Sequence, residues 1–151
     1  MPDPQVMMES FSSAVCVTLA EMAGADAMLL ETQPQSGPYA PRGVTAILPL
    51  SAKADGVLVL SMPEMTAHAL AGRILAVAMI EPDAEMIRDC IAEVANVIAG
   101  QAKTLLYGTP WHFHFAAPWS EVPSSLTIRN AIRLNFQSDA GELTLLVDFP
   151  Q

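Results

Sequence analysis

Basic residues are scarce in this 151-residue sequence: seven Lys and Arg stand against sixteen Asp and Glu, a formal net charge of -9. A phosphate backbone would be repelled by that charge, and no Lys/Arg patch with interleaved aromatics offsets it locally, so nucleic acid is not an expected partner. Cysteine is scarce too. Cys16 and Cys90 belong to no CxxC or Cys/His cluster, which argues against a disulfide framework and against a structural zinc site. Both are read as buried thiols in a reducing compartment.

Long apolar runs are also missing. Although 52% of the residues are hydrophobic, charge, Gly or Pro interrupts each stretch before the ~20 residues that a membrane-spanning helix requires. The opening MPDPQVMMESF carries Asp3 and Glu9 and no basic residue, the wrong sign for a secretory signal. The expectation is a cytoplasmic protein without a membrane partner. GxSxG, Walker A, GxGxxG, HExxH and EF-hand patterns are absent, which argues against those hydrolases, nucleotide binding and calcium sensing.

What is present is enough apolar material for one compact domain spanning residues 1–151. Met7, Phe11, Val15, Leu19 and Met22 recur at helical spacing from about Pro4 to Ala23. A short strand expected at Met28 to Thr32 precedes a Pro- and Gly-rich loop from Gln35 to Gly43. Val44 to Leu50 and Val57 to Leu60 read as a hairpin through Ala54, Asp55 and Gly56, with the glycine supplying positive φ. Ser61 and Glu64 fit a capping box for a second helix reaching about Val77. Glu81, Pro82 and Asp83 open a third helix that runs to about Leu106. Strands are expected at Trp111 to Phe115, Leu126 to Phe136 and Leu143 to Phe149. Strands in hairpins and helices in groups imply an α+β domain, a mainly antiparallel sheet covered by three helices.

The third helix carries a pattern beyond packing. At about 100° per residue, Asp89, Glu93, Asn96 and Gly100 fall within a stripe ~60° wide. Ile87, Ile91, Val94, Ile98, Ala102 and Leu105 gather on the opposite side, so the polar line should face solvent. Any amphipathic helix has a solvated face, which is the plain alternative. Against it, Asn is a poor helix former and Gly costs about 1 kcal/mol relative to Ala, yet both stand mid-helix. Gly100 would also admit another backbone.

The spacing Asp89-x3-Glu93-x2-Asn96 resembles the CheX/CheC-type chemotaxis phosphatases, whose motif is Asp or Ser, three residues, Glu, two residues, Asn. The order of helices and strands is similar to CheX over nearly the whole chain. The motif occurs once, whereas CheC-like members carry it twice, so the likeness is to single-site CheX. The family also has a proline downstream of the motif, and Pro118 is the nearest here.

The resemblance implies a phosphatase of the aspartyl phosphate on a response-regulator receiver domain, in chemotaxis or another two-component pathway. It implies Asn96 holding the attacking water, Glu93 pairing with a receiver lysine, and Asp89 and Gly100 in partner binding. It implies no cofactor or metal of the chain's own, since the phosphorylated receiver supplies Mg²⁺. It also implies a homodimer formed by sheet pairing, for which the C-terminal strands are read as exposed. A noncatalytic CheX-like module, docking on a receiver or on a motor or signalling protein, is the competing expectation.

Three other features have bland readings. His112 and His114 share a strand face at a spacing that suits a metal pair, but no third ligand is evident. Cys90 lacks a neighbouring base to activate it. The nine methionines read as core filling.

Overall fold

The computed structural model describes residues 2–76 and 81–150. The first helix, α1 (Pro4–Ala23), has the expected bounds, and both ends have a chemical cause. The Asp3 carboxylate accepts the Gln5 backbone N–H at 2.9 Å, and Pro4 opens the helix where an N–H would have no partner. Gly24 ends it in the left-handed region at φ 58°, donating to the Ala20 carbonyl at 3.0 Å. By length and composition α1 could cross a membrane; Phe11, Val15 and Leu19 are nevertheless fully buried in the core, and Phe11 stacks on Phe113 at 5.5 Å.

The second segment departs from expectation. Strand β1 (Ala27–Tyr39) runs through Pro34 and takes in most of the expected loop, including Gly37 and Pro38. It lies at the sheet edge and pairs only with β5 (Leu126–Ser138), and an edge strand tolerates proline because half of its N–H groups need no partner. Gly37, at φ 91°, follows a register shift after Gln35.

The hairpin of β2 (Val44–Ser51) and β3 (Asp55–Met62) forms as expected. Gly56 plays a different part from the one expected, since it sits within β3 opposite Leu50 and not at a positive-φ turn. A Cβ there would meet the Asp148 carbonyl oxygen at 2.1 Å, so close backbone approach is what requires glycine. The capping box is absent: Ser61 lies in β3, and Pro63 precedes α2 (Glu64–Leu75) without a side-chain cap. The expected helix end at Val77 lies outside the described residues.

Helix α3 (Ala84–Leu106) is capped by Asp83, whose carboxylate accepts the Met86 N–H at 2.9 Å. Of the expected strand Trp111 to Phe115, only β4 (His114–Phe115) pairs, with Leu50 and Ser51. The Thr109 hydroxyl takes the Trp111 N–H and the Thr109 carbonyl takes that of His112, so the ladder loses both donors. Trp111 and Phe113 turn into the core against Phe149. With β6 (Gly141–Asp148), the strand order is β1-β5-β6-β3-β2-β4, antiparallel throughout. The C-terminal strands β5 and β6 are therefore interior, and β1 and β4 form the edges, contrary to the reading of exposed C-terminal strands.

The fold is α+β: three helices cover one sheet face over a core that includes Phe11, Leu48, Leu60, Ile91, Ile98, Phe113 and Phe136. A smaller cluster, Ile47, Val59, Ile128, Ala131 and Leu146, lies apart from it. The Tyr39 hydroxyl sits 3.3 Å from the Ser61 hydroxyl although β1 and β3 are three strands apart, about 14 Å in a flat sheet. The sheet must curl to bring them together.

Candidate functional site

α3 is the longest helix described, and its fully buried residues Ile91, Val94, Ala95, Ile98, Ala99 and Ala102 fix its rotation against the rest of the fold. Leu106, not the expected Leu105, closes this face, since Leu105 is 51% exposed. One residue is a 100° turn on a helix, enough to move a side chain from rim to core.

The polar stripe lies opposite. Asp89 and Glu93 are exposed, while Asn96 and Gly100 are half-buried, so the line runs from open solvent into a shallow recess. Glu93 and Asn96 are separated by about 4.5 Å along the axis, from the 1.5 Å rise per residue. Among the described residues, neither side chain has a hydrogen-bond or ion-pair partner.

The flanking chemistry differs at the two ends. Cys90, 9% exposed, turns inward from the stripe. Burial, and after it the Glu93 carboxylate, push its thiol above the ordinary value, so it stays protonated and poorly nucleophilic. At the other end, the tip of the Phe115 ring floors Gly100, and Lys103 sits 5.9 Å above the centre of the same ring. The His114 Nδ1 atom is 3.3 Å from the Lys103 ammonium. The His112 and His114 rings meet edge to face at 5.3 Å, and no group of three metal-ligating side chains occurs among the described residues.

Sequence reasoning missed a cleft of about 550 Å³ between β2 and the starts of α2 and α3, lined by Val44, Glu64, His68, Ile87 and Arg88 among others. Arg88 immediately precedes Asp89. His68 lies 3.6 Å from Glu81 across this region. No local pattern announces such a cleft, because its walls come from three separate elements.

Residues 44–135, which include α2, α3 and the whole stripe, match the family described as chemotaxis phosphatase CheX. No curated protein matches the chain. Among solved structures, a chemotaxis protein CheX from Desulfovibrio desulfuricans superposes with a TM-score of 0.78 at 22% identity, covering 93% of this chain and 97% of that one. CheX from Vibrio vulnificus gives 0.76 at 20% identity over 93% and 97%. CheX of Borrelia burgdorferi, solved in complex with CheY, BeF₃ and Mg²⁺, gives 0.63 at 21% identity over 95% and 97%. With more than half of its length matched, helix motif included, the chain belongs to the CheX family of chemotaxis phosphatases.

Proposed function

We propose that residues 1–151 act as a single phosphatase domain that hydrolyses the aspartyl phosphate of a CheY-like receiver, with Glu93 and Asn96 as its catalytic pair. One observation carries the reading. Glu93 and Asn96 stand one turn apart on the open face of a helix whose other face is buried at Ile91, Val94, Ile98 and Ala102, with no partner among the described residues. The helix backbone fixes where the two side chains start, and having no partner in the fold leaves their polar groups available to a docking receiver.

Hydrolysis of a phosphoaspartate needs a water in line with the leaving carboxylate. The Asn96 carboxamide offers both a donor and an acceptor, so it can hold a water by its hydrogen while turning a lone pair toward phosphorus. The Glu93 carboxylate, one turn away, can pair with a receiver lysine and set the depth at which Asn96 enters. Asp89 extends the contact outward, and Gly100 allows the receiver backbone to come close. Mg²⁺ held by the receiver offsets charge on the phosphoryl oxygens. The Borrelia relative bound to CheY with Mg²⁺ supports such a partner.

The net charge of -9 makes long-range approach to an acidic receiver pocket unfavourable, so affinity rests on the metal and on short-range fit. The reading places the reaction in the cytoplasm. It includes a homodimer paired through a sheet edge, β1 or β4.

The test is the decay rate of a Mg²⁺-bound phosphorylated receiver with wild type, Glu93→Ala and Asn96→Ala. Acceleration by wild type, lost in Asn96→Ala, is expected. Receiver binding without faster decay, undisturbed by Asn96→Ala, would instead identify a docking module.

A further inference from the structure

We propose that the curl of the sheet builds a second site, which binds a small ligand through a carboxylate or phosphate group held by Arg133. The chain has only seven Lys and Arg, yet two of them, Arg42 and Arg133, line one cleft of about 640 Å³. That volume lies within the range of small-molecule sites. Tyr39, Ser61 and Thr144 supply hydroxyls to the same walls.

Arg133 is the unusual member. It projects from β5 opposite Gln33 of β1, and one terminal nitrogen donates to the Gln33 side-chain oxygen. Gln33 is oriented in turn, because its amide nitrogen donates to Glu31 at 3.2 Å. The Arg133 Nε atom is buried and has no hydrogen-bond partner. Among the described residues, no carboxylate reaches Arg133 within ion-pair distance. A buried guanidinium N–H without an acceptor is rare in folded proteins; because this Nε is closed to solvent, a ligand in the cleft meets Arg133 through its terminal nitrogens, whose planar fork matches the oxygens of a carboxylate or phosphate.

The rest of the cleft is consistent with one anionic group at that point. The paired Tyr39 and Ser61 hydroxyls share a single hydrogen bond, which leaves one hydroxyl hydrogen to donate to a ligand. Glu142 is the acidic residue of the lining, and it is exposed. Water therefore screens its charge from an anion seated at the half-buried Arg133. The cleft shares no residue with the α3 stripe, so this site is independent of the phosphatase reading.

Titration of the ¹⁵N-labelled full chain with inorganic phosphate, and separately with citrate, at constant ionic strength tests the proposal. Saturable shifts are expected at the amides of Gln33, Tyr39, Ser61 and Thr144, weakened at least tenfold by Arg133→Gln and severalfold by Arg42→Gln. Preference for phosphate or for citrate identifies which anionic group the site takes. Arg133→Lys keeps the charge but loses the fork, and it replaces Arg133→Gln if that variant does not fold. No saturable shift with either anion, or equal affinity in the Arg133 variants, overturns the proposal.

Discussion

The Cζ atom of Phe115 lies 3.9 Å from the point where a Cβ on Gly100 would project. That is ordinary contact, so the packing of this chain alone does not require glycine at the recessed end of the stripe. Gly100→Ala should therefore stabilise the protein by up to about 1 kcal/mol in urea unfolding, through helix propensity. The same variant should slow phospho-receiver decay if a partner backbone sits on Gly100. Gain of stability with unchanged decay would remove Gly100 from the interface.

Asn96→Ala and Glu93→Gln should leave the unfolding free energy within about 0.5 kcal/mol of wild type, as substitutions without protein partners do. Loss of phosphatase activity at intact stability separates a working residue from a structural one. A large loss of stability in either variant would mean that its side chain is engaged in the fold.

The Cys90 thiol reports on Glu93. Because its folded pKa is raised, its contribution to stability is complete below the ordinary thiol value of about 8.5 and is lost as pH rises through the folded value. Glu93→Gln removes the lesser of the two causes and should speed alkylation of Cys90 by iodoacetamide at pH 8.5. Cys16, raised by burial alone, should not change. Mass spectrometry of the two sites decides it, and equal Cys90 rates in both proteins would count against the Glu93 charge acting on the thiol.

Asp83 holds the start of the helix that bears the stripe. Asp83→Ala should cost about 1 kcal/mol, and Asp83→Ser should recover most of it, because the cap needs only a short side-chain acceptor. Urea unfolding of the three proteins checks this.

Two glycines should respond in opposite directions. Gly56→Ala would drive a Cβ to 2.1 Å from the Asp148 carbonyl oxygen, a clash with backbone, and should cost about 3 kcal/mol or prevent folding. Gly72→Ala meets nothing within 4 Å inside α2 and should stabilise by up to about 1 kcal/mol. Thermal unfolding of the pair separates close strand approach from simple flexibility.

The sequence by itself determined the helices, the β2–β3 hairpin and the stripe. Helical periodicity is local: spacings of three and four residues fix which side chains share a face whatever the rest of the chain does. The bounds of α1 could thus be read from its apolar repeat, and Asp89, Glu93, Asn96 and Gly100 could be placed on one line. How open that line is could not be read, because the recess around Asn96 and Gly100 is made partly by Phe115, which β4 delivers from elsewhere in the chain.

Only the tertiary structure decided the rest. Pro34, Gly37 and Pro38 break a strand by composition, yet the sheet edge accepts the prolines because no neighbour asks for their missing N–H groups, and Gly37 fits at a register shift. Gly56 is needed for the approach of Asp148, which follows it by more than ninety residues. Tyr39 and Ser61 meet, and Arg133 is walled into a cleft, only because a six-stranded sheet curls. Curl is a property of strands acting together, set by twist accumulated across the whole sheet, and no single segment of sequence contains it.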